Sequence, residues 1–233
     1  MSEPLNVIVI VEGQTEARFV KEVLAPYWAQ RGIYAFPTVV RTSPQQRGGD
    51  IRFDRLKVYI RNHLLQRTDT LVATFVDYYG LKEWPGKEKT PAHATPEQIA
   101  DHLNKAARAE IARSYPDCDS DRRYFPFIAV HEFEALLFSD PTTLAKELGI
   151  DEAAIEKLLD ECNGSPEQID NHPATAPSKR LRAWNARYRK TLDGIRIAAQ
   201  IGIDQMRERC PNFNKWMAAM EKNCQKPHPD EDT

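Results

Sequence analysis

Apolar positions along the chain fall into two patterns, continuous β-branched runs and helical stripes, and for the first part of the sequence the two alternate. Leu5–Val11 (LNVIVIV) is uninterrupted and predicts a strand buried on both faces, as at the centre of a parallel sheet. It breaks at Glu12-Gly13-Gln14-Thr15-Glu16, after which Phe19, Val20, Val23 and Leu24 recur at helical spacing, with Thr15 as the candidate cap. Tyr34–Arg41, interrupted by Pro37, predicts a second strand, and Ser43–Asp50 with its Gly48-Gly49 pair predicts a loop. Ile51–Gln66 predicts a helix with Phe53, Leu56, Ile60 and Leu64 along one face. Thr70–Asp77 (TLVATFVD) is a third strand ending in an acid, followed by a loop over Tyr78–Ala94. Pro96–Ser114 predicts an amphipathic helix, Tyr124–Val130 (YFPFIAV) a fourth strand, and His131–Phe138 (HEFEALLF) the opening of the next helix.

Strands alternating with helices predict an α/β fold with a parallel or mostly parallel central sheet flanked by helices. Beyond about Asp140 the strand pattern stops, and Leu144–Leu148, Ala153–Cys162, Ser178–Lys190, Thr191–Ile201 and Phe213–Cys224 carry helical patterns. The expected organisation is an α/β core over 1–140, a helical C-terminal part over 141–224 packed on that core, and a disordered polar tail over 225–233. The length of 233 residues suits this division.

Composition narrows the function classes. Charged residues make up 28% of the chain and the formal net charge is −2, so nucleic acid would have to be held by a local basic patch or through metal ions. The four cysteines, Cys118, Cys162, Cys210 and Cys224, form no CxxC pair and read as reduced thiols. No leader pattern precedes Leu5 and no apolar run reaches the ~18 residues of a membrane span, so the expectation is a cytoplasmic protein with no membrane partner.

The acids carry the candidate chemistry. Ligands of open α/β sheets bind beyond the carboxyl ends of the strands. Here the first strand runs into Glu12 and Glu16, the third ends at Asp77, and the fourth runs into Glu132 and Glu134. Parallel neighbours would bring these carboxylates into one small volume, where like charges raise one another's pKa unless a cation intervenes. Oxygen donors of this kind suit Mg²⁺ or Mn²⁺ better than zinc. Each acid also has a structural reading: Glu12 as a helix cap, Asp77 as a turn residue, and one of Glu132 and Glu134 as a surface residue, since positions two apart do not share a helix face. His131 reads as a structural histidine or a general base.

A second segment, Ala176-Pro177-Ser178-Lys179-Arg180, places Lys179, Arg180 and Arg182 in the first turns of a helix, against the helix dipole. A phosphate held there would explain them, as would a solvated basic face continued by Arg187, Arg189 and Lys190. The sequence contains no GxxxxGK[ST], GxGxxG or GxSxG, which argues against a P-loop, a Rossmann site and a serine hydrolase.

The strings Val11-Glu12-Gly13-Gln14-Thr15-Glu16, Phe75-Val76-Asp77-Tyr78-Tyr79-Gly80, His131–Phe138 and Ala176–Leu181 occur in this order in a bacterial domain family of unknown function, and the resemblance extends to about Trp216. That family resembles TOPRIM (topoisomerase–primase) proteins, whose pattern is a Glu after the first strand and Asp-x-Asp after the third. Glu12 and Asp77 match; Tyr79 stands where the second Asp would be. The resemblance implies a metal site of Glu12, Glu16 and Asp77 completed by Glu132 or Glu134. By analogy with nucleases of the OLD (overcoming-lysogenisation-defect) type, it implies a catalytic lysine, for which Lys179 is the candidate. It further implies a metal-dependent nuclease acting on DNA or RNA, an effector with an ATPase partner subunit in phage-defence or mobile-element loci. The alternative is a catalytically degenerate TOPRIM module that binds or regulates an ABC- or SMC-like ATPase.

Overall fold

The computed structural model describes residues 4–40, 51–169 and 175–224. Four parallel strands form the central sheet: β1 (Leu5–Val11), β2 (Ile33–Val39), β4 (Thr70–Asp77) and β6 (Tyr124–Ala129), in the order β2-β1-β4-β6. Two short strands, β3 (Ile51–Arg52) and β5 (Leu81–Lys82), make a separate parallel pair. The expected mostly parallel α/β sheet is therefore present, with its strands in the sequence segments that the apolar runs marked. The Ser43–Asp50 loop and the 225–233 tail lie outside the described residues.

Side chains alternate across the sheet with the two-residue period of a strand. Val7, Val9 and Val11 of β1, Leu71, Ala73 and Phe75 of β4, and Phe125, Phe127 and Ala129 of β6 enter one core. Ile10, Val72, Val76, Tyr124 and Ile128 enter the other. The second core is closed by α3 (Phe53–Gln66), through Phe53, Leu56, Ile60 and Leu64, and by α4 (Pro96–Ser114), through Ala100, Leu103, Ala107 and Ile111. The first is closed by α1 (Gln14–Phe19), a π-turn over Val20–Leu24 and α2 (Ala25–Ala29), together with helices from the C-terminal half. A short helix, α5 (Ser120–Arg123), leads into β6.

The C-terminal helices are α6 (Pro141–Leu148), α7 (Glu152–Glu161), α8 (Pro177–Trp184), α9 (Ile195–Ile201), α10 (Ile203–Arg209) and α11 (Pro211–Cys224). They lie on the face to which odd-numbered β4 side chains point. Trp216 of α11 stacks on Phe127 of β6 at 5.2 Å and donates its indole N–H to the Phe125 carbonyl at 3.2 Å. Asp77 continues the parity of Phe75, so its carboxylate is delivered to the same side as these helices.

Three local readings are corrected by the structure. The segment after β6 forms a 3₁₀ helix over Phe133–Ser139, not an α-helix, because almost all of its side chains are buried and its backbone is bent to the core surface. The helical pattern over Ser178–Lys190 ends at Trp184, where Asn185 adopts an extended conformation. A π-turn over Lys190–Gly194 then precedes α9. The first helix is capped at Gly13 rather than Thr15: the Glu16 carboxylate accepts the Gly13 N–H at 3.0 Å.

Candidate functional site

Register brings the strand ends together. Val11 pairs with Phe75, and Asp77 pairs with Ala129, so Glu12, Asp77 and the residues after β6 emerge at one edge. Asp77 is buried, and its Oδ1 accepts the Phe133 N–H at 2.9 Å, which ties the end of β4 to the start of the 3₁₀ helix. That helix carries Glu134 into the interior, where the residue is fully buried. Glu12 is packed against Gly80: a Cβ on Gly80 would stand 2.6 Å from Glu12 Oε2, so only glycine leaves room for the carboxylate.

A lysine from the C-terminal half enters this group. Lys190 Nζ lies 3.1 Å from Glu134 Oε2, 3.4 Å from Asp77 Oδ2 and 3.6 Å from Glu16 Oε1. Its side chain keeps 28% of its surface exposed, so it approaches the acids from the solvent side. The π-turn that bears it is pinned to α1. Thr191 Oγ1 is 3.0 Å from Thr15 Oγ1, and Arg18 donates to the Thr191 carbonyl at 2.8 Å. Thr15 therefore positions the lysine-bearing turn instead of capping the helix.

The electrostatics follow from burial and crowding. Burial raises the Asp77 carboxyl well above its ordinary value; Lys190 opposes this, and Glu16, Glu134 and Glu12 add to it. Glu134 is pushed up to about 7 by burial, against the pull of Lys190. Burial by itself would lower the Lys190 ammonium, but Asp77, Glu134 and Glu16 outweigh it and raise it above its ordinary value. The two directions conflict if every group is charged at once. The lysine is the firmer of the two: one ammonium faces several carboxylates, so it stays charged while the acids share a proton or draw in another cation. Glu134 Oε1 accepts no hydrogen bond among the described residues.

The other candidates are placed apart from this group. Glu132 accepts from the Ser178 N–H at 2.9 Å and from its hydroxyl at 3.2 Å, so it holds the first turn of α8. Of the two glutamates in the HEFE string, Glu134 is the one among the acids. Lys179 and Arg182 are exposed on α8, and Arg180 donates through Nε to the Thr175 carbonyl at 2.8 Å. Tyr79, where a second TOPRIM acid would stand, is 54% exposed. The sequence reading missed Lys190, which it counted only as the end of a basic stretch; nothing local marks it, because its partners come from three distant segments.

A family model for a Domain of unknown function (DUF4276) matches residues 11–221. The chain belongs to this family. The matched span contains the acids and lysine described above, so the cluster belongs to the DUF4276 domain itself. No curated protein matches the chain. Among solved structures, it is similar to the C-terminal region of the Burkholderia pseudomallei OLD protein, with a TM-score of 0.43 and 14% identity over 95% of this chain and 99% of that one. Among the described residues, no helix is long and apolar enough to cross a membrane, and no three His, Cys, Asp or Glu side chains are already grouped as metal ligands.

Proposed function

We propose that this DUF4276 chain is a divalent-cation-dependent nuclease that hydrolyses phosphodiester bonds in DNA or RNA. The observation that carries the reading is the convergence of Asp77, Glu16 and Glu134 on Lys190 Nζ, with Glu12 seated on Gly80 at the same strand edge. The donor set fits a hard cation: the oxygens are carboxylates, one ammonium balances only part of their charge, and the raised Asp77 and Glu134 carboxyls mark the remaining excess. Glu12, Glu16, Asp77 and Glu134 would hold Mg²⁺ or Mn²⁺. Such an ion supplies polarisation of the phosphate and a lowered pKa for bound water.

The protein's own groups have separate tasks. Lys190 sets a fixed positive charge beside the acids, in reach of a phosphate oxygen. The Phe133 N–H holds Asp77 in one orientation. Glu132 organises α8, whose exposed Lys179 and Arg182, with Arg180, are the outer phosphate contacts in this reading. The motif resemblance extends the proposal to an effector subunit that works with an ATPase in phage defence.

A second reading has its own support. Tyr79 replaces an acid, and Lys190 already provides the acids with a cation, which favours a metal-free binding or regulatory module. The test incubates purified protein with Mg²⁺ or Mn²⁺ and a panel of plasmid, single-stranded DNA and tRNA, beside Glu12→Gln. The nuclease reading expects cleavage by the wild type and a loss on the order of 100-fold or more in the variant. Equal cleavage by both removes the mechanism, and no cleavage by either moves the assignment to the binding module.

A further inference from the structure

The segment that delivers Lys190 to the acids also forms the wall of a second cleft. This cavity of about 430 Å³ is lined by Asn185, Arg187, Tyr188, Arg189 and Arg196, with Glu147 and Asp193 on its rim. Lys190 and Asp193 share one π-turn, and Arg189 immediately precedes it, so the cleft and the acid cluster lie on either side of a single short stretch of chain.

Its charge is not balanced internally. Arg189 is paired with Asp193 at 3.0 Å and Arg196 with Glu147 at 3.0 Å. Arg187 is exposed and makes no side-chain ion pair among the described residues. The lining thus carries one uncompensated positive charge. Its paired guanidinium groups are also available: both are more than half exposed, both pairs are of the weak surface kind, and each guanidinium has N–H donors beyond those its carboxylate uses.

Tyr188 supplies an independent observation. It is 5% exposed, yet its hydroxyl has no hydrogen-bond partner among the described residues. A buried hydroxyl without an acceptor is costly unless something else fills that role. The hydroxyl fits only because residue 194 is glycine: a Cβ there would lie 2.7 Å from it. Burial, with Glu134 nearby, raises the phenol above its ordinary value, so it remains a donor at neutral pH.

We propose that this cleft is a phosphate subsite that holds the nucleotide next to the scissile bond, with Arg187 and Arg196 on the phosphate and the Tyr188 hydroxyl donating to the bound strand. The proposal rests on the nuclease reading for the identity of the strand. The cavity is large enough for about one nucleotide, and planar guanidinium forks match phosphate oxygens. The contacts are to backbone, so they grip DNA and RNA alike without reading sequence.

The test measures the affinity of the full chain for a fluorescein-labelled single-stranded oligonucleotide by anisotropy, in Ca²⁺, over a range of salt concentrations. Cleavage of the same oligonucleotide in Mn²⁺ is followed separately. Arg187→Gln/Arg196→Gln is compared with Arg67→Gln/Arg113→Gln, which removes equal charge from elsewhere on the surface. The subsite predicts an affinity loss of about tenfold or more and a shallower salt slope for the cleft variant alone. Tyr188→Phe, which keeps the ring and its packing, should weaken binding by about threefold or more with its thermal midpoint unchanged or raised. Equal affinity in wild type and cleft variant overturns the subsite and leaves the nuclease reading standing if the wild type still cleaves. Weakened binding by the cleft variant, with no cleavage by any form, keeps the subsite and removes the nuclease reading. No binding by the wild type overturns the subsite.

Discussion

Two buried glutamates, Glu134 and Glu167, share residue type, near-complete burial and a carboxyl pushed up to about 7 by desolvation, yet they do different work. Glu167 accepts the Asn212 N–H at 3.0 Å and the Phe213 N–H at 3.1 Å, which are orphan donors in the first turn of α11. Its surroundings account for it completely as a helix cap. Glu134 has no such backbone partners at Oε1, and it shares Lys190 with Asp77 and Glu16. A raised carboxyl therefore marks burial at both places, and only the partners separate a group spent on folding from one held ready for a cation or substrate. Arg123 makes the same point for cations: its buried guanidinium donates to the carbonyls of Leu64, Thr70, Cys118 and Arg67, a purely structural task beside that of Lys190.

The sharpest way to break the comparison is to remove each partner in turn. Lys190→Met leaves Asp77, Glu16 and Glu134 without their ammonium and should cost about 3 kcal/mol in metal-free buffer, the lower end for a paired charge because the lysine is partly exposed. Calorimetry with and without Mg²⁺ should then show a larger rise in the thermal midpoint for this variant than for wild type. An equal rise would show that no cation replaces the ammonium.

Glu167→Ala should cost about 1–3 kcal/mol in denaturant unfolding, by stranding two N–H groups at the start of α11, with cleavage and nucleic-acid binding unchanged. A loss of activity without a loss of stability would put Glu167 in the functional site and dissolve the contrast.

The pH dependence sharpens it further. The folded chain holds the Glu167 proton more tightly than the unfolded chain, whose carboxyl has its ordinary value of 4.5. Folding then takes up a proton between pH of about 4.5 and about 7, so this group's contribution falls as pH rises through that window and levels off above it. Glu167→Gln should flatten the corresponding fall in unfolding free energy, by on the order of 1–3 kcal/mol across the window. An unchanged slope would mean that the backbone donors keep Glu167 ionised.

Gly80→Ala addresses the acid cluster without touching any charge. Its Cβ would displace the Glu12 carboxylate, and cleavage should fall about tenfold or more while the thermal midpoint moves little. The smallest effect expected is for Lys179→Ala. That exposed position should change stability by no more than about 0.5 kcal/mol and change cleavage far less than Lys190→Met does. The reverse order would return the catalytic lysine to α8.

Much of the fold was legible because strands buried on both faces must be continuously apolar, and Leu5–Val11, Thr70–Asp77 and Tyr124–Val130 are such runs. The convergence of Glu12, Glu16 and Asp77 followed from parallel strands ending at one edge, a consequence of pattern and topology. The sequence by itself therefore determined the sheet, its loaded edge and the acids that stand there. It did not determine which of Glu132 and Glu134 joins them, because that depends on a 3₁₀ helix whose backbone is set by tertiary packing. Nor did it identify Lys190, 113 residues from Asp77, or the empty acceptor position at Tyr188. Those were decided only when the C-terminal helices packed on the odd-numbered face of β4. Charge pairing acts over a few ångströms in space, and sequence periodicity records only which face a residue takes.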